Sequence, residues 1–385
     1  MRCKYIIVGG GVVGLSTALH LAILTNEGPE ICVLEKDFVG YGNSGRNGGR
    51  YRVHFGAEEN LRFAIEAIKY LKSIDKLIDY NPLITTTGYL WLIFDEEAYK
   101  NMRKHAENFR RYGVPLKEFS AEETFKRYFF LKPRKDLIAS FLGPQDGSFH
   151  PDSIVYGLRR SCERRGVRIF ERTYVSNVII KDSRVIGVET IPKGFFQGDN
   201  IILAVNEDLK YFSDKLGLGI PIEPVRKEIM VTEPFRYTID VFVIDGQLKM
   251  YFSQTLKGEI IGSVKTGREA RGLVERENTI LWLRYFARAL RIALRGSESI
   301  RIMRLWSGFY DMTPDSSHVI GRSRDWPEGL YVAGGFSGHG FMFGPYTGKV
   351  LAEYVVTGKM PEIAEPFTPE RFKTGRLIHE TFVIG

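Results

Sequence analysis

The feature that most restricts this chain is the opening "KYIIVGGGVVGLSTALHLA". Four apolar or aromatic residues from Tyr5 to Val8 read as a buried strand, which breaks into glycine before a helix of small and aliphatic residues. Gly9, Gly11 and Gly14 fit G-x-G-x-x-G in the strand-to-helix setting that gives the pattern its meaning. Gly9 makes the turn, Gly11 lets a pyrophosphate approach the backbone, and Gly14 lets helix and strand pack closely. The helix N-terminus adds free N–H groups and partial positive charge. A second strand, "EICVLEK", ends at Glu35 and Lys36. Glu35 lies about 20 residues past the last glycine, where an acid accepts hydrogen bonds from an adenosine ribose. An α/β fold around a dinucleotide, NAD or FAD, is expected.

The next segment favours FAD. An NAD domain would continue with a helix and a third parallel strand. Here the chain reads "VGYGNSGRNGGRYRVHF", a polar, glycine-rich loop holding Ser44, Arg46, Asn47 and Gly48. Such a loop suits a longer cofactor whose second ring system lies further along. A long amphipathic helix, "AEENLRFAIEAIKYLKSIDKLI", follows. Near the other end, the strand "GLYVA" runs into Gly334, Gly335, Gly338, Gly340 and Gly344 around His339, and then into another helix. Glycines in that number imply that something lies against the backbone.

A length of 385 residues allows two domains, or one with a second inserted into it. Hydrophobic residues at 44% and charged residues at 26% describe an ordinary globular protein. The net charge of +8 invites a nucleic-acid reading, but the basic residues are spread along the chain. No patch interleaves them with aromatics, so no nucleic acid is expected, and a tRNA-modifying flavoenzyme ranks below the other readings. Arg284, Arg288, Arg291 and Arg295 recur at helical spacing, as a solvated face or a dock for an acidic partner. Three cysteines, Cys3, Cys32 and Cys162, argue against a disulfide framework and for a reducing cytoplasm, and none has metal-ligand spacing. No apolar run reaches the roughly 18 residues of a spanning helix, which leaves a soluble protein or one seated peripherally on a membrane.

Four blocks, "IIVGGGVVGLSTALHLA…VLEK", "GNSGRNGG", "QDGSFHPDSIVYGLRRSCERRGVRIFERTYVSNV" and "WSGFYDMTPDSSHVIG…GLYVAGGFSGHGFMFGP", resemble the FAD-dependent amine and amino-acid oxidoreductases of the D-amino-acid oxidase family. The last block and "EPFTPERF" are similar to the sarcosine oxidase and dye-linked L-proline dehydrogenase β-subunit branch. The resemblance implies a discontinuous FAD-binding domain, residues 1–85, 143–220 and 301–385. Residues 86–142 and 221–300 would form an inserted antiparallel-sheet domain roofing the flavin.

Val175 would bracket adenine through its backbone, and Ala204 would lie against the cofactor. Gly335 and the Gly338–His339–Gly340–Phe341–Met342 loop would follow the pyrimidine edge of the isoalloxazine, the glycines keeping Cβ atoms off the ring, with Pro345 in the first turn of the helix. Arg52 aligns with a carboxylate-binding arginine, Tyr251 and Tyr310 with substrate contacts, and Arg50 with the surface or a phosphate. Met342 stands where relatives place a second, lysine ligand for the carboxylate. Gly308 stands where they attach flavin covalently, so non-covalent FAD is implied. Ile260 stands where relatives place an oxygen-activating lysine, with Lys257 and Lys265 nearby, which favours a dehydrogenase of a small amino acid such as L-proline over a peroxide-forming sarcosine or glycine oxidase. A partner subunit or another electron acceptor, and a homo- or hetero-oligomer, complete the expectation.

Overall fold

The computed structural model describes residues 1–382. Its described residues build two eight-stranded sheets and a two-stranded ribbon. In the first sheet the strands lie in the order Val319–Gly321, Leu330–Gly334, Gly194–Leu203, Arg2–Val8, Ile31–Leu34, Arg168–Phe170. All neighbours in that row are parallel except the first pair. Tyr174–Lys181 and Arg184–Ile191 extend Gly194–Leu203 as an antiparallel meander.

The strand Arg2–Val8 is central, so its residues from Tyr5 to Val8 are buried on both sides. The opening helix Val12–Thr25 is buried from Val12 to Ala22, because it lies between this sheet and the closing helix Gly340–Thr357. The two helices meet at small residues. A Cβ on Gly344 would lie 2.7 Å from Val12 Cγ1, and one on Gly348 would lie 2.6 Å from the Thr17 nitrogen. The Ser16 hydroxyl donates to the Pro345 carbonyl at 2.7 Å. Pro345 therefore sits inside the closing helix rather than in its first turn.

The second sheet runs Ile302–Met312, Glu223–Thr232, Ile260–Val264, Met250–Gln254, Phe242–Asp245, Tyr89–Ile93, Ala139–Gly143, Lys117–Ser120. It is antiparallel except where Phe242–Asp245 pairs in parallel with Tyr89–Ile93, so it is mixed rather than purely antiparallel. The helix Ile280–Ala293 covers one face with Trp282, Phe286 and Leu290. Its outer side carries Leu281, Tyr285 and Ile292 beside the arginines, so the expected charged face is half apolar. Arg295 lies past the helix end and donates from Nε to the Leu131 carbonyl at 3.1 Å.

Ile302–Met312 falls inside the range assigned to the first domain, yet it pairs along its length with Glu223–Thr232. Its far end reaches the first sheet's glycine loop. This strand is the physical tie between the two layers.

The cysteine expectation is overturned. Cys3 and Cys32 form a disulfide, and Cys162 is free and buried. Parity of cysteines ignored geometry: these two lie on adjacent parallel strands with Cα atoms 6.0 Å apart. Cysteine usage therefore no longer argues for a reducing compartment. Among the described residues no helix is long and apolar enough to cross a membrane.

Candidate functional site

One cleft runs the length of the junction between the sheets. Glu35 and Val175 line one end, Gly11, Ser44 and Met342 its middle, and Arg52 and Tyr251 the far end. A cleft of that extent takes a long ligand with a smaller one beyond it.

At the first end the glycine turn is as tight as the motif requires. Gly9 has φ +107°, donates its N–H to the Leu34 carbonyl at 2.8 Å, and leaves no room for a Cβ against the Ala204 carbonyl. A Cβ on Gly14 would strike the Gly9 carbonyl. Glu35 is held in place by backbone: Gly10 N–H donates to Oε2 at 2.7 Å and Asp37 N–H to Oε1 at 2.9 Å. Burial nonetheless pushes its carboxyl upward from the ordinary value. Lys36 pairs with Asp208.

The Ser44 hydroxyl accepts the Val12 N–H at 3.0 Å, so it already sits at the phosphate-binding end of the opening helix. Asn47 donates to the Ser44 carbonyl at 2.6 Å and accepts from Gly49 at 2.8 Å, which fixes the loop. Arg46 lies over the Tyr41 ring at 4.3 Å, and its carbonyl accepts the Trp306 indole N–H at 2.9 Å. A Cβ at Gly48 would meet nothing within 4 Å, so the backbone there is open. This cradle of backbone amides, serine and carboxylate fits the adenosine and pyrophosphate of a dinucleotide.

The histidine-bearing loop has a different reason for its glycines than the cofactor ring alone. A Cβ on Gly338 would press into the Tyr310 ring, one on Gly335 would lie 2.6 Å from Thr313 Cγ2, and one on Gly340 would lie 3.0 Å from Phe336. Gly335 and Gly338 also have positive φ, +66° and +96°. Protein neighbours already exclude side chains here. The loop is anchored by Asp311, which sequence reading passed over inside "GFYDMTP". Its carboxylate accepts the Gly335 N–H at 2.6 Å and the Phe336 N–H at 3.1 Å, and burial pushes its carboxyl up to about 7. His339 is buried between Phe55 and Phe343 with Nε2 unpartnered among the described residues. Burial, with Arg52 nearby, brings its imidazole down to about 3, so it stays neutral and is a poor base near neutral pH.

At the far end, Arg52 is 3% exposed, and its terminal nitrogens donate to the carbonyls of His54 and Phe382. The guanidinium stacks 3.9 Å from the Phe55 ring centre. Each terminal nitrogen carries a further hydrogen, and among the described residues no carboxylate pairs with it. Tyr310 and Tyr251 are buried and their phenols interact. Tyr89, Phe242 and Tyr251 form a stacked aromatic wall, with ring centres 4.3 and 5.2 Å apart. Met342 lines the cleft and Gly308 faces Asn43 Oδ1, where a Cβ would sit 2.9 Å away.

The lysine expectation is revised. Ile260 is fully buried in its strand, donating its N–H to Thr232 Oγ1 at 2.9 Å, and does not line the cleft. Lys227 does, because the register of its strand sets it opposite Gly308 and 5.4 Å from the Tyr310 ring centre. Burial lowers its amine to about 8. The fold penalises the charged form, so stability should rise as pH climbs from about 8 towards the amine's ordinary 10.5. In the folded protein the cleft should lose that positive charge as pH passes through about 8. Inhibition by acetate should then weaken several-fold between about pH 7 and about pH 9, and Lys227→Met should flatten that dependence. A wild-type inhibition constant that does not change over this range would contradict it.

Comparison with known proteins follows the same lines. The family described as FAD dependent oxidoreductase (DAO) matches residues 4–354. The chain is 28% identical over 383 residues to the sarcosine oxidase subunit beta of Rhizobium meliloti (strain 1021), covering 97% of this chain and 89% of that protein. The Rhodobacter capsulatus sarcosine oxidase subunit beta is 26% identical over 389 residues, covering 100% and 92%. L-Proline dehydrogenase from P. horikoshii superposes with a TM-score of 0.89 at 30% identity, over 98% of this chain and 99% of that one. Glycine oxidase from Geobacillus kaustophilus, at 19% identity and a TM-score of 0.84, shares the fold. With the glycine turn, the ribose-facing acid and the long cleft in place over the same span, the chain belongs to the FAD dependent oxidoreductase family, and FAD is the dinucleotide it takes.

Proposed function

We propose that this enzyme is a dehydrogenase of a small amino acid, a secondary amine such as L-proline or sarcosine, delivering electrons to an acceptor other than oxygen. The observation that carries the reading is Arg52, a buried guanidinium at the cleft's far end with no ion-paired carboxylate among the described residues, Glu380 and Asp146 acting on it only from beyond ion-pair distance. A buried cation with no carboxylate in contact is costly, and a substrate carboxylate supplies that contact. In this reading Gly9, Gly11, Gly14, Glu35, Ser44 and Val175 hold the adenosine diphosphate half of FAD. The loop from Gly338 to Met342 faces the flavin, and the second sheet is its roof. With Gly308 at the attachment position, FAD is held non-covalently.

When bound, FAD supplies the two-electron acceptor for a hydride from the substrate's Cα. Arg52 fixes the carboxylate, and so the face that Cα presents. The aromatic wall of Tyr89, Phe242 and Tyr251 keeps water from the reacting carbon. The substrate nitrogen must arrive neutral, so that its lone pair can form the C=N bond as hydride leaves. With His339 uncharged, positioning accounts for most of the rate. Two relatives are described as beta subunits, which supports a partner subunit as the electron acceptor.

Lys227 favours a second reading. A cationic amine in the cleft would stabilise superoxide as it forms, which would make the enzyme a peroxide-forming oxidase. One experiment separates the two. The yellow protein is mixed anaerobically with a panel led by L-proline and sarcosine, then opened to air. Bleaching by one secondary amine with slow return of colour supports the dehydrogenase. Rapid return with peroxide supports the oxidase. Absence of bleaching by every amino acid overturns both.

A further inference from the structure

We propose that Arg50 forms a second anion subsite, so that the substrate carries another acidic group besides its α-carboxylate. The inference rests on the reading of Arg52 as the α-carboxylate anchor. Arg50 and Arg52 are separated by Tyr51, whose hydroxyl lies on the opposite side against the Thr85 carbonyl at 3.2 Å and Thr86 Oγ1 at 3.0 Å. The strand is only Arg50–Tyr51, and both Arg50 and the following Arg52 line the cleft.

Their surroundings differ. Arg52 acts electrostatically on His339 and Tyr310, at the flavin-facing loop. Arg50 reaches into the second sheet, where one terminal nitrogen donates to Ser253 Oγ at 2.5 Å and to the Gln254 carbonyl at 3.2 Å. Both partners are neutral. Its Nε is buried with no hydrogen-bond partner, and no carboxylate pairs with it among the described residues. Burial raises the Tyr89 phenol's pKa, and both guanidiniums, Arg52 more than Arg50, act against that rise. Phe242 stacks on Tyr89 and presents its ring 5.9 Å from Arg50.

Both arginines thus line one cleft together with Tyr89, Phe242 and Tyr251. Two buried cations lining one cleft, neither in an ion pair among the described residues, are mutually unfavourable, and a ligand with two negative ends relieves both. Positions two apart on a strand are about 7 Å apart, a spacing that a short dicarboxylate can bridge. The substrate class is therefore narrower than L-proline or sarcosine, which have one carboxylate each: an amino acid, or an N-substituted one, whose far end bears a second carboxylate.

The test is a calorimetric titration of the holoenzyme with acetate and with glutarate, which needs no turnover and no knowledge of the acceptor. Glutarate should bind at least ~10-fold more tightly than acetate, the gain expected of one added charge-assisted contact. Arg50→Gln should erase that preference. Glutarate binding no better than acetate to the unaltered protein overturns the proposal without recourse to any variant. So does a preference that survives Arg50→Gln in folded, flavin-loaded protein. Arg52→Gln separates the two readings: acetate affinity that is unchanged in it defeats the α-carboxylate anchor, whatever Arg50 does.

Discussion

Arg52→Ala should lower kcat/KM for the amino-acid substrate by at least ~100-fold while the protein still binds FAD. The expected size follows from the contact: a desolvated, two-pronged, charge-assisted grip contributes several kcal/mol to holding the carboxylate, and about 1.4 kcal/mol corresponds to each tenfold in rate. The same grip aims the substrate, so kcat should fall along with the rise in KM. Arg52→Lys keeps the charge but loses the fork, and should recover only part of the loss. Removing Arg52 also leaves the carbonyls of His54 and Phe382 without a donor, so flavin content and thermal midpoint must be measured alongside. Near-normal kinetics in a flavin-loaded variant would remove Arg52 from the site.

Gly348→Val should damage the protein although it lies outside the substrate cavity. The Cβ it introduces would lie 2.5 Å from Ser16 Cβ and 2.6 Å from the Thr17 backbone nitrogen. Backbone cannot swing aside as a side-chain tip can, so the opening and closing helices must separate. Overpacking of a filled core typically costs about 1–3 kcal/mol. Displacing the opening helix also moves Gly11 and Val12, where the pyrophosphate would bind. In a chain of this length that cost corresponds to a fall of about 1–4 °C in thermal midpoint, together with loss of bound flavin. Absorbance at the flavin band relative to protein, with a melting curve, would measure both. A variant retaining full flavin and an unchanged midpoint would show that the helices are not in close contact there.

Much of the cofactor end was legible because its logic is local. The strand, the turn and the helix adjoin in sequence, and Glu35 ends the very next strand, so spacing alone sets its position. The substrate end is built from distant pieces. Arg50 read as a surface or phosphate candidate because its strand is only two residues long, too short for alternation to show. Alignment put the lysine at Ile260, whereas strand pairing put Lys227 opposite Gly308. Asp311 carried no signal of its own, since a lone acid in an apolar strand acquires meaning only when two loop amides point at it.

The two cases of partial success show where the boundary falls. That Gly335, Gly338 and Gly340 must lack side chains could be read from their number; that Thr313, Tyr310 and Phe336 are the neighbours excluding them could not. The cysteines were counted correctly, but no disulfide was expected where Cys3 and Cys32 form one. The sequence alone determined the dinucleotide turn, the acid that closes it and the FAD-type loop, because backbone sterics and hydrogen bonding act between near neighbours. Only the tertiary structure decided the Cys3–Cys32 bridge, the strand that ties the sheets, and the two arginines lining one cleft. Those depend on which strands lie side by side, and that is set by burial of the whole chain rather than by any segment of it.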